Sequence, residues 1–151
     1  MMVTILAFIT IVFFIICGIL HLYWFLGGKT FLKNALPTRN DGTLVLSPSK
    51  LAVFIVACGF FFCALLLIAY IRIINIYIPY PLIHYFVITL SIIMFIRVIG
   101  DFNYVGIFKK VKKTDFAFFD TTLYIPLCLV IGSILLSIFL LQSFSNSTTH
   151  L

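Results

Sequence analysis

Four long apolar stretches, separated by shorter polar ones, set the pattern of the chain. They run from Val3 to Leu26, Leu51 to Ile71, Leu82 to Ile99 and roughly Leu123 to Leu141. A helix needs about 20 such residues to cross a bilayer. The third stretch is short unless it takes in Arg97, whose long stem can carry its charged head to the interface. The pattern predicts an all-α integral membrane four-helix bundle, one membrane domain over residues 1–151, with loops of about 27–50 and 100–122 on the same side.

The loops carry patterns of their own. Asn40-Asp41-Gly42 is a turn signal, and Thr43 to Leu46 reads as a short strand or extended chain. In the third loop Phe102, Val105, Phe108 and Val111 recur every three residues among lysines. This spacing predicts an interfacial amphipathic helix, apolar side in the membrane and lysines toward lipid phosphates.

Composition supports the membrane reading. The chain is 64% hydrophobic and 9% charged, with a mean hydropathy of +1.27, against about 25% charged residues in an ordinary globular domain. The first stretch has no Lys or Arg before it, and it is longer than the roughly 7 to 15 apolar residues of a secretory signal. Phe14-Ile15-Ile16 before Cys17 lacks the small residues of a lipoprotein cleavage site. It therefore reads as a retained span.

Charge then sets direction. Lys29, Lys33, Arg39 and Lys50 lie in or beside the first loop. Arg97, Lys109, Lys110, Lys112 and Lys113 lie at or in the third, and only Arg72 lies on the other side. The positive-inside rule puts loops one and three in the cytoplasm, with both termini and the short second loop outside. The net charge of +6 thus suits anionic lipid head groups at the inner face, not nucleic acid. The lipid bilayer is the expected partner; a protein partner or a second copy stays open.

Little in the chain spells out a reaction. Cys17, Cys58, Cys63 and Cys128 fall in apolar stretches and make no CxxC, so neither a dithiol nor a zinc site is expected. Gly27-Gly28-Lys29-Thr30 is not a P-loop, because Tyr23 stands where the first glycine belongs. No metal and no cofactor is expected: His21 would be a natural heme ligand, but His84 lies toward the other side of the membrane.

Topology does gather polar residues. His21 and Trp24 end span one, Arg97 and Asp101 end span three, and Asp120 and Tyr124 begin span four, all at one level. Thr10, Cys17, His21, Trp24 and Gly28 share one side of span one, expected to face the bundle. Arg97 and Asp101 are four apart and are expected to pair. Asp120 is expected to cap span four. Pro126 is an early-turn proline if that helix starts near Ile125, and otherwise a kink. His21, Trp24, Arg97, Asp101, Asp120 and Tyr124 are therefore the candidate site, with Arg97 holding an anionic group, His21 as acid or base, and a lipid-like ligand. The alternative is a non-enzymatic structural or partner-binding protein in which the cluster only stabilises the bundle.

HLYWFLGG, ALPTRNDG and RVIGDFNYVGIFKKVKKTDFAFFDTTLYIPLCL together resemble a family of small bacterial membrane proteins, domain-of-unknown-function family 3995. The resemblance covers His21 to Leu129 and is most specific in the third loop. It implies four spans and a bacterial plasma membrane, and supplies neither substrate nor catalytic residue.

Overall fold

The structure, a computed structural model, describes residues 1–75 and 77–148. Among the described residues four helices are long and apolar enough to cross a membrane. They are α1 (Met2–Phe25), α3 (Lys50–Tyr70), α4 (Tyr80–Ile99) and a continuous fourth helix, Asp115–Phe144, made largely of α6 (Ile125–Thr148). Short helices α2 (Leu32–Ala35) and α5 (Asp115–Phe119) lie in the first and third loops, and a π-helical turn, Asp120–Tyr124, joins α5 to α6. No named strand occurs among the described residues; Thr38 and Leu44 form one isolated antiparallel bridge.

The helix ends follow local chemistry. At the end of α1, Gly27 takes φ +99° and its N–H reaches the Trp24 carbonyl, while the Gly28 N–H reaches that of Tyr23. This is a Schellman ending, and the positive φ is why glycine stands there. The Ser49 hydroxyl caps α3 by accepting from the Ala52 N–H at 3.2 Å. The final span begins earlier than its apolar stretch: the Thr114 hydroxyl accepts from the Ala117 N–H at 3.1 Å, so the helix starts at Asp115. Pro126 thus lies inside a continuous helix. Its missing N–H is accommodated by the π turn, where the Ile125 N–H reaches back to Asp120.

Helices α1 and α3 pack as one antiparallel pair, α4 and α6 as another, and α1 against α6 joins them; α3 and α4 barely touch. Small residues allow the close approaches, as membrane packing requires. A Cβ on Gly18 would lie 2.9 Å from the Phe61 ring, and one on Gly132 would lie 3.1 Å from the Met94 Cβ. Across α4 and α6 the buried Ser91 hydroxyl donates to the Gly132 carbonyl at 2.8 Å. Phe14, Leu67, Tyr70, Val87, Leu135 and Ile138 fill the core. The outward faces carry large apolar side chains such as Ile16, Ile55, Phe62, Ile93 and Val130. Such faces suit hydrocarbon rather than water.

The amphipathic helix predicted over Phe102 to Val111 does not form; these residues are bends and turns. Gly100 and Gly106 sit back to back at φ +84° and +87°. A Cβ on Gly106 would run into the Ile99 carbonyl and the Gly100 backbone. The Asp101 carboxylate accepts from the N–H groups of Asn103, Tyr104 and Val105 at 2.9, 2.7 and 2.9 Å. A side chain that satisfies three consecutive N–H groups competes directly with helix formation. Phe102, Ile107 and Phe108 remain exposed on this loop.

The glycine pinch is directly testable. Gly106→Ala should lower stability by at least about 1–2 kcal/mol from the positive φ alone, with backbone overlap in addition. Gly42 also has a positive φ, but a Cβ there meets nothing within 4 Å. Thermal unfolding in detergent should therefore fall further for Gly106→Ala than for Gly42→Ala; equal shifts would remove the pinch as a stabilising feature.

Candidate functional site

Asp120 organises the basic end of the bundle. The π turn aims its carboxylate inward, and the side chain is 0% exposed. Its Oδ1 accepts from Arg97 Nη2 of α4 at 2.7 Å. Its Oδ2 accepts from the Gly106 N–H at 2.9 Å and from Lys109 Nζ at 3.0 Å. Lys109 is itself buried, at 4% exposure, and also donates to the Thr121 hydroxyl at 2.7 Å and the Gly106 carbonyl at 3.3 Å. A buried ammonium is tolerated only with such a complete set of acceptors. Two cations share one carboxylate, so the knot keeps a net positive charge. Arg97 Nη1 is buried with no hydrogen-bond partner.

One pairing expected from spacing and one expected helix cap are replaced. Arg97 pairs with Asp120, not with Asp101, because α4 stops at Ile99 and Gly100 turns the chain away. Asp101 instead holds the turn after it. Burial pushes its carboxyl up, but the three backbone N–H donors outweigh this and hold it below the usual carboxylate range. Asp120 is no helix cap either, since Thr114 caps the helix upstream and Asp120 is spent on the ion pairs.

The other candidates lie at the same end but outside this knot. His21 Nδ1 bonds the Cys17 carbonyl at 2.8 Å, and its ring packs against Trp24 and Phe60 at 4.8 and 5.0 Å. No bond joins it to Asp120. Trp24 Nε1 donates to the Thr30 carbonyl at 2.8 Å, and the Tyr23 and Thr30 hydroxyls meet at 3.0 Å. These bonds fold the start of the first loop onto the end of α1. Tyr124 Oη donates to the Asn34 carbonyl at 3.2 Å, tying α2 to the last span. On the predicted α1 face, Thr10 is buried and Cys17, His21 and Trp24 are half-buried, while Gly28 falls beyond the helix.

Sequence reasoning missed Lys109, Gly106 and Thr121. Nothing in a run of four lysines marks one as buried. The available signal was Asp120 itself, an acid beside an apolar stretch that needs a partner if it is buried. Also missed is a hydrogen-bonded chain at the opposite end. Tyr70 Oη meets His84 Nδ1 at 3.0 Å, His84 Nε2 meets the Ser143 hydroxyl at 3.0 Å, and Ser143 donates to the Phe139 carbonyl at 2.9 Å. The His84 ring stacks on Phe139 at 4.3 Å. Among the described residues no group of three or more His, Cys, Asp or Glu is placed to hold a metal.

The model of one family, described as "Protein of unknown function (DUF3995)", matches residues 14–135. The chain belongs to this family. The match takes in α3, α4, both basic loops, the Asp120 knot and the second half of α1. No curated protein matches the chain, and no solved structure does.

Two measurements check the electrostatics. Asp120→Ala should cost about 3–5 kcal/mol, because it leaves the buried Lys109 charge uncompensated. In a thermal-unfolding cycle, Lys109→Met combined with Asp120→Leu should cost less than Asp120→Ala alone; additive losses would deny the coupling. Asp101 ionises more easily folded than unfolded, so its contribution is present at neutral pH and lost as pH falls through the folded value. The stability gap between the native chain and Asp101→Ala, roughly 1 kcal/mol for a capping carboxylate, should close at pH values below about 3.9. A gap independent of pH would show that the carboxylate charge is not what matters.

Proposed function

We propose that this chain is a non-enzymatic multi-pass protein of a bacterial plasma membrane that holds a fixed basic surface against anionic lipid. One observation carries the reading. Both oxygens of the buried Asp120 are taken up by partners from α4 and the third loop, so the polar residues converge on one another. A buried carboxylate held by two cations and a backbone N–H is committed to those partners and is poorly placed for acid–base work. What it does instead is clamp the lysine-rich third loop onto the bundle. Nine of the ten Lys and Arg residues lie at or beside loops one and three. This asymmetry supports loops one and three in the cytoplasm and both ends of the chain outside.

A second reading rests on Arg97 Nη1, a buried donor with no partner. An anionic or carbonyl group of a lipid-like ligand would satisfy it.

Lipid retained through purification separates the two. Arg97→Lys keeps a cation for Asp120 but removes the second guanidinium nitrogen. Under the first reading, the lipid seen by mass spectrometry should match that of the native chain. Loss of one anionic species with Arg97→Lys would replace the first reading by the second. Direction is tested with single cysteines in a cysteine-free background. Tyr77→Cys should react with an impermeant thiol reagent in intact cells, and Lys112→Cys only after permeabilisation; the reverse pattern would invert the topology.

A further inference from the structure

Beside the Asp120 knot, the basic end holds a separate cavity of about 430 Å³. It lies between the turn of the first loop and the start of α5. Lys33, Arg39 and Lys113 line it, Asp115 is its one acid, and Leu44 forms an apolar edge. The two ion pairs among the described residues both belong to Asp120. The three cations of the cavity are therefore not within ion-pair distance of any described carboxylate, although Arg39 and Asp41 attract one another at longer range.

The walls are braced without using those cations. The Arg39 N–H donates to the Thr43 carbonyl at 2.8 Å, and Asp41 Oδ1 accepts from the Thr43 N–H and hydroxyl at 2.9 and 2.6 Å. These bonds hold the first-loop turn. On the other wall Thr114 caps α5, and α2 packs against α5. The backbone positions that carry the cations are thus held in advance, so binding needs to order only their side chains.

We propose that this cavity binds a phosphomonoester carried on a lipid head group. The charge fits. Three cations and one carboxylate leave a net charge of +2, and a phosphomonoester carries about −1.5 to −2 at neutral pH. A phosphodiester has a single ionisable oxygen and carries only about −1. The location fits a lipid carrier: Leu44 at the cavity edge and Leu46 and Phe31 nearby in the same loop are 47%, 58% and 64% exposed. Exposed apolar side chains interleaved with basic ones suit the layer where head groups meet hydrocarbon. The site deepens the proposed function and rests on its reading that this end meets anionic lipid.

The test uses the full chain in detergent micelles, with short-chain phosphatidic acid, phosphatidylglycerol, phosphatidylcholine and inorganic phosphate as separate probes. Phosphatidic acid should bind at least tenfold more tightly than phosphatidylglycerol. Arg39→Gln and Lys113→Gln should each weaken it about tenfold or more, the loss of one charge-assisted contact. Lys112→Gln, with the same charge change outside the cavity, should weaken it less than twofold. Equal losses in all three variants would overturn the cavity and leave the diffuse attraction of the basic end standing. No preference for the monoester would overturn the assignment of ligand class. Inorganic phosphate binding as tightly as phosphatidic acid would overturn the lipid source. Failure of every anionic lipid to bind would remove the proposed function as well.

Discussion

A carboxylate taken out of water must be answered in full, and in this molecule that constraint falls on Asp120. Its charge is answered from three directions: Arg97 at the end of α4, Lys109 and Gly106 from the third loop. An isolated buried ion costs far more than one hydrogen bond returns, so these partners stand or fall together. The third loop has no helix between Asp101 and Thr114 to stiffen it. It is shaped by carboxylates instead, with Asp101 gathering three N–H groups at its start and Asp120 gripping its middle. The lysine buried in that grip is part of the scaffold. Lys110, Lys112 and Lys113 stay exposed around it.

The spans were legible because apolarity sustained over about 20 residues is a signal of composition, robust to detail. The meeting of His21, Arg97, Asp120 and Tyr124 at one end followed from topology alone. What joined to what did not. Arg97 and Asp101 have helical spacing, but that spacing has meaning only while the helix lasts, and Gly100 ends it. Asp120 looked like a cap because the apolar stretch begins after it, yet the helix starts at Asp115, capped by Thr114, where apolarity gives no sign. The three-residue recurrence of Phe102, Val105, Phe108 and Val111 imitates a helix face. Backbone geometry at Gly100 and Gly106 overrides it, and positive φ cannot be read from a hydrophobic pattern. His21 satisfies itself on its own helix, an outcome no spacing distinguishes from a ligand role.

Membrane surroundings explain the looseness elsewhere. With hydrocarbon outside, apolar burial gives little reason for helices to close on every side. The contacts that do form are those where a small residue or a hydroxyl allows them, such as Gly18 under Phe61 and Ser91 on Gly132. Between α3 and α4 the bundle stays open, leaving a groove of about 390 Å³ edged by Phe62, Leu66 and Phe86.

The chain of bonds at the opposite end has a direction. Ser143 has one hydroxyl proton and gives it to the Phe139 carbonyl, so toward His84 it can only accept. His84 must then carry its hydrogen on Nε2, which leaves Nδ1 as an acceptor for the Tyr70 hydroxyl. The tautomer is thus dictated from outside the ring, and every proton points the same way, from α3 through α4 into α6. A second proton placed on Nδ1 would meet the Tyr70 proton head-on. The order is pinned at the α6 end: a carbonyl can only accept, so the line cannot reverse while Ser143 keeps its bond to Phe139.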